Sequence, residues 1–102
     1  MTTREAAPEL SAESAAVLGA VADPLRHGIV RYLAANGEQC VCDLQSAFPV
    51  KMNLLSYHLK TLREAGLLVS DKRGRWVHYS VAPGAAERLA RALPLTFLGS
   101  PS

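Results

Sequence analysis

Four punctuation points decide what the first two thirds of this chain can fold into: Asp23-Pro24, Asn36-Gly37, Pro49 and Gly66. Asp23-Pro24 reads as an N-cap followed by proline in the first helical turn, where proline's missing N–H costs nothing. Asn36-Gly37 and Gly66 read as helix stops, and Pro49 ends whatever helix precedes it. The segments between these points carry helical spacing. Ser14, Val17, Leu18 and Val21 share one face up to Ala22, and Leu25, Ile29, Val30 and Leu33 share the next. A short third helix is expected to begin near Cys40–Asp43 and run through Leu44 to Phe48. A fourth is expected from Lys51 to Ala65, with Leu55, Leu59 and Leu62 at i, i+4 and i+7 facing a core.

After Gly66 the period changes from helical to alternating. Strands are expected at Leu67–Asp71 and Arg75–Val81, joined through Lys72-Arg73-Gly74. In the second strand Val77, Tyr79 and Val81 alternate with Trp76, His78 and Ser80. A last helix, Gly84 to Leu93, follows Pro83 with Leu89 and Leu93 on its apolar side. The expected fold is mainly α with a small β-hairpin, in the order ααααββα: a winged helix-turn-helix in a single domain over residues 11–93. Residues 1–10 are expected as a frayed lead, because Pro8 interrupts any early helix, and 94–102 as a weakly patterned tail.

At 102 residues, 49% of them apolar, the chain can bury a modest core. Small domains hide a smaller fraction of their surface, so pairing with a second copy is a natural way to bury more. No apolar run approaches the ~18 residues of a membrane span, and Met1-Thr2-Thr3-Arg4-Glu5 lacks a signal peptide's apolar stretch. The expected location is the cytoplasm, where thiols stay reduced, with no membrane partner. The net charge of +2 is unevenly spread. Residues 51–79 hold six basic side chains against two acidic, a net +4, while the remainder holds five against seven, a net −2. A basic block in a near-neutral chain fits a polyanionic partner, although a solvated face would carry the same pattern.

On a helical wheel at about 100° per residue, Asn53, Tyr57 and Lys60 lie opposite the leucine face, with Ser56 on its flank. Asn can bond bidentately to an adenine edge, and Ser and Lys can reach bases or phosphates. The second helix of a helix-turn-helix enters the major groove with its N-terminal part leading. An ordinary amphipathic surface helix would present the same side chains; the basic hairpin that follows at once turns the reading towards double-stranded DNA. Lys51, Asn53, Ser56, Tyr57 and Lys60 are the candidate contacts on the helix, and Arg73 and Arg75 on the hairpin, where they would hold phosphate or the minor groove.

The only two cysteines, Cys40 and Cys42, stand one residue apart at the start of the third helix. Thiolates are soft ligands that select thiophilic ions, and a helix N-terminus is expected to lower a thiol's pKa. Residues i and i+2 lie about 200° apart on a regular helix, so chelation of one ion by both sulfurs is expected to unwind or twist that first turn. The helix concerned supports the DNA-reading helix, which would couple the two events. His27, His58 and His78 are scattered over three elements. His58, at the border of the apolar face, reads as a structural histidine, and His78 as a contact to DNA or solvent.

Gln39-Cys40-Val41-Cys42-Asp43-Leu44, Leu55-Ser56-Tyr57-His58-Leu59-Lys60 through Leu67, and Arg73-Gly74-Arg75-Trp76-Val77-His78-Tyr79 resemble the arsenic-responsive repressors of the ArsR/SmtB type. Ala22-Asp23-Pro24-Leu25-Arg26 matches that family's start of the second helix, so the resemblance covers about residues 12–92. It implies a homodimeric repressor on an inverted-repeat operator, released when As(III) or Sb(III) binds Cys40 and Cys42 as inducer. It also implies dimerisation through residues 12–22 and 84–93. The family's arsenic motif often has a third cysteine where this chain has Gln45, which leaves two thiolates. Zinc is not expected at the last helix, where Glu87 is the sole candidate ligand of residues 84–93. Two alternatives use the same thiol pair: a mercury-responsive regulator, satisfied by two sulfurs, and a redox-responsive one. A thiol oxidoreductase lacks a placed base, and an interaction module without DNA does not explain the basic block.

Overall fold

A computed structural model describes residues 9–95 of the chain. Five helices and a small sheet follow one another as α1 (Ala12–Ala22), α2 (Pro24–Asn36), β1 (Gln39–Cys40), α3 (Val41–Ala47), α4 (Met52–Glu64), β2 (Leu68–Arg73), β3 (Trp76–Val81) and α5 (Ala85–Ala92). The winged helix-turn-helix expected from the spacing is present, with one element more than expected. β1 adds to the hairpin, giving a three-stranded antiparallel sheet in the order β1-β3-β2. The expected lead and tail lie largely outside the described residues.

The helix starts are set by side chains. Ser11 Oγ accepts from the Ser14 N–H at 3.0 Å, and Asp23 Oδ2 from the Arg26 N–H at 3.0 Å. Each satisfies a backbone donor that the first turn leaves without an intrahelical partner. The end of α4 is a Schellman motif: the Leu67 N–H donates to Leu62 O and the Gly66 N–H to Arg63 O, both at 3.0 Å. The motif needs a left-handed residue, which Gly66 supplies at φ +81°. Leu67 is consumed by this closure, so β2 starts at Leu68 rather than at the expected Leu67. At its other end β2 continues through Lys72 and Arg73, which pair with Val77 and Trp76. Only Gly74 and Arg75 form the turn, with Gly74 at φ +61°, the positive angle a two-residue II′ loop needs first.

One core joins all the helices to the sheet. Ile29, Leu33, Leu44, Leu55, Leu59, Leu62, Leu67 and Leu68 are fully buried, each stabilising the fold by about 1.5–3 kcal/mol. The expected inner faces of α2 and α4 are the observed ones; in β3, Tyr79 and Val81 are half-buried against the core as expected, but Val77 does not join them and His78 and Ser80 are half-buried too. α5 differs: Ala85 and Ala92 are buried, Leu89 is half-buried, and Leu93, expected on the apolar side, is 51% exposed. Between α3 and α4, Gln45 Nε2 donates to Val50 O at 3.1 Å and ties the support helix to the turn before α4.

Candidate thiol centre and nucleic-acid interface

Cys40 is the N-cap of α3, in extended backbone (φ −67°, ψ 151°), and not a residue of the helix. Its Sγ accepts from the Cys42 N–H at 3.3 Å, while Asp43 reaches back to accept from the Cys40 N–H, also at 3.3 Å. This is a capping box with sulfur in place of the usual hydroxyl. The expectation that the two sulfurs diverge by the angle of a regular helix is therefore corrected: the extended N-cap turns Cys40 towards Cys42. The donor atoms of Cys40, Cys42 and Asp43 all lie within 4.8 Å of one another. An ion bonded to sulfur at about 2.3 Å, the zinc–thiolate length, bridges donors up to about 4.6 Å apart. Any bent arrangement brings two donors closer together than that span, so the first turn would have to close in around an ion even though its donors are already gathered.

Cys40 is buried and Cys42 exposed, so the centre has one sheltered thiol and one open to solvent. The Cys42 thiol is pushed above its ordinary 9.0, first by its hydrogen bond with Cys40, then by burial, then by the charges of Cys40 and Asp43. The expected lowering by the helix N-terminus is overridden, because the first turn concentrates potential negative charge in one place. Across the sheet, Cys40 pairs with His78 and His78 with Asp71. His78 Nδ1 is buried with no hydrogen-bonding partner among the described residues, so that nitrogen faces neither DNA nor solvent, as the sequence had suggested it would. His58 is buried at 8% exposure, as expected of a structural histidine.

Lys51, Asn53, Ser56, Tyr57 and Lys60 are all exposed, on or just before α4. Lys51 is the N-cap of α4 and makes no side-chain capping bond. Asn53 Oδ1 accepts from the Leu54 N–H at 2.9 Å, which folds its amide back over the helix start. The same surface exposes Met52 and Leu54 at 39% and 43%. Both were missed in the sequence, where Leu54 beside Leu55 passes for core. On the hairpin, Arg73 is not a free cation: it donates to Glu38 at 2.8 Å and to Asp71 at 2.9 Å. Arg75 and Lys72 are exposed and form no ion pair among the described residues. Trp76 stands beside them, 48% exposed. No described helix is long and apolar enough to cross a membrane.

Residues 23–70, from the cap of α2 into β2, match the family model described as "Bacterial regulatory protein, arsR family". The chain is 49% identical over 63 residues to the arsenical resistance operon repressor of Escherichia coli K12, a stretch covering 62% of this chain and 54% of that protein. It is 42% identical over 62 residues to the arsenical resistance operon repressor of Bacillus subtilis 168, covering 61% and 59%. The chain thus spans a little over half the length of these curated relatives. Among solved structures, an ArsR-like transcriptional regulator from Rhodococcus sp. RHA1 superposes with a TM-score of 0.68 at 31% identity, over 78% of this chain and 74% of that one. The chain belongs to the ArsR family of bacterial regulatory proteins, a family of DNA-binding transcriptional regulators and not enzymes.

Proposed function

We infer that the protein is a metalloid-responsive repressor that binds an inverted-repeat operator as a homodimer and leaves it when trivalent arsenic or antimony binds Cys40 and Cys42. The observation that carries this is the gathering of two sulfurs and a carboxylate within 4.8 Å at the first turn of α3, the support helix of the DNA-reading unit. The names of the curated relatives support the choice of ligand. In this reading α4 enters the major groove with Asn53, Ser56, Tyr57 and Lys60, and Lys51 stands at its leading end. Leu54 adds an apolar contact of the kind that reads a thymine methyl. Arg75 holds phosphate from the wing; Arg73 does so only by giving up Glu38 or Asp71.

Arsenous acid, As(OH)3, takes up two thiols. Each thiol proton leaves with a displaced hydroxide as water, and one hydroxyl stays on arsenic. The ion engages the same Cys40 sulfur that caps the Cys42 N–H, so binding and capping compete, and the first turn of α3 must reseat. Two connections carry that movement: Gln45 to Val50, ahead of α4, and the pairing of β1 with β3 in the wing. A coupling of about 1–3 kcal/mol would be typical. The test is titration of a DNA complex with arsenite, wild type against Cys40→Ser/Cys42→Ser. Release by wild type alone is expected; equal release by the double variant would exclude the thiol pair.

One observation favours a second inducer class. Gln45, where a third thiolate would stand, is engaged with Val50, so two sulfurs are what the centre offers. Mercury(II) or a methylated trivalent arsenical, each satisfied by two, should then release DNA at lower concentration than arsenite in the same titration.

A further inference from the structure

α4 is fixed to the rest of the domain by one polar contact as well as by its leucines. His58 is the sole buried polar side chain among the described residues, at 8% exposure, and it sits in the middle of α4 between the groove-facing Tyr57 and the core residue Leu59. Arg26 NH1 lies 3.0 Å from His58 Nδ1. The same guanidinium donates through Nε to Ala20 O, at the end of α1, at 2.9 Å. Arg26 is itself held at the start of α2, where its N–H bonds the Asp23 carboxylate. One side chain therefore pins the end of α1, the start of α2 and the centre of α4 to each other.

The chemistry of this contact allows one protonation state. A guanidinium can only donate. Nδ1 must then be the acceptor, with the ring proton on Nε2 and the imidazole neutral. Protonation would place an N–H against an N–H and one cation against another, with no freedom to retreat in a buried site. The titratable and charged groups around the ring are Arg26 from α2, the Asp23 carboxylate capping that helix, and Tyr57 on α4, whose ring centroid is 5.4 Å from the imidazole. α1 meets the same guanidinium through the Ala20 carbonyl.

We propose that Arg26, acting through neutral His58, is a positioning residue for the reading helix, and that protonation of His58 releases α4 so that DNA binding weakens on acidification. This rests on α4 being the DNA-reading helix. The sign is diagnostic. Acidification can only add positive charge to a protein, which by itself strengthens attraction to phosphate, so a nonspecific pH effect runs the other way.

The experiment measures affinity at about pH 8 and at about pH 5.5. The probe is a duplex enriched by the wild-type protein from a random-sequence pool at the higher pH. Wild type should bind roughly tenfold or more weakly at the lower pH, the worth of one hydrogen bond to a charged group. His58→Asn keeps an acceptor near the Nδ1 position and cannot titrate, so its affinity should not fall. Arg26→Gln is an independent check, because an amide donates to neutral imidazole and accepts from imidazolium; it too should flatten the profile. Imidazole 15N shifts of the free protein should show His58 bare at Nδ1 at the higher pH. Undiminished wild-type affinity at the lower pH, a loss retained in both variants, or a protonated Nδ1 at the higher pH would each overturn the proposal. If no duplex is enriched, the DNA reading fails. Hydrogen exchange of α4 then decides the contact alone: faster exchange on acidification in wild type but not in His58→Asn supports it, and equal behaviour refutes it.

Discussion

Cys42 is exposed and yet held towards its protonated form, and a single turn produces that combination. Cys40 and Asp43 flank it with hydrogen bonding and negative charge, and together they outweigh the helix N-terminus. Alkylation of Cys42 by iodoacetamide should therefore run slower at neutral pH than that of a free cysteine, and faster as pH rises. Asp43→Asn should lower the thiol's pKa and speed the reaction, and buried Cys40 should lag behind; mass spectrometry of timed samples checks all three. Asp23 shows the opposite shift. Its carboxyl is held below the ordinary 3.8, chiefly by the Arg26 N–H. The stability it adds is present above the unfolded carboxyl's range and disappears as pH falls through the folded value. Asp23→Asn should thus be less stable than wild type near neutrality and indistinguishable in strong acid, as read by denaturant midpoints. Gln45→Ala should keep arsenite affinity but blunt DNA release several-fold, since it removes one bond of about 0.5–1.5 kcal/mol on the path from α3 to α4. The residue types alone were enough to mark the thiol pair as a candidate centre. Its geometry was not, because the sequence does not say that Cys40 stands outside the helix it caps.

At the scale of elements, what could be read was whatever has a period or a stop. α2 and α4 lie within a residue of their expected limits because Asp23-Pro24, Gly37 and Gly66 act through the backbone itself. β1 has two residues and no period to detect; it exists because β3 offers it a paired edge. The wing strands were displaced by a residue or two because the Schellman closure takes Leu67 and the turn is shorter than expected. In α5 the small residues Ala85 and Ala92 are the buried ones, with Leu89 half-buried beside them and Leu93 left exposed, since alanines allow close packing that a larger side chain would prevent. Gly66→Ala should cost about 1–2 kcal/mol in urea denaturation, because φ is +81° there and an added Cβ would meet the Arg88 guanidinium at 3.0 Å.

For the whole molecule, the proposed dimer draws on apolar surface left at one end of the domain. Leu10 and Leu93, 53% and 51% exposed, line a groove with Leu18 and Ala92, and Leu95 is 64% exposed. Leu93→Asp should shift sedimentation to that of a monomer and abolish tight binding to a two-half-site operator while sparing the fold. The charge proposed to meet DNA is also distributed unequally. Lys60→Ala or Arg75→Ala should each reduce the slope of log affinity against log salt by about 1. Arg73→Ala should change it less, because two carboxylates already offset that cation. Trp76 adds a practical consequence. It is the chain's single tryptophan and lies half open to water on the hairpin. Its emission is therefore a built-in lamp on the wing alone: a duplex closing over the indole should shift its colour, and stopped-flow recording could time the wing's arrival and departure in an unlabelled sample.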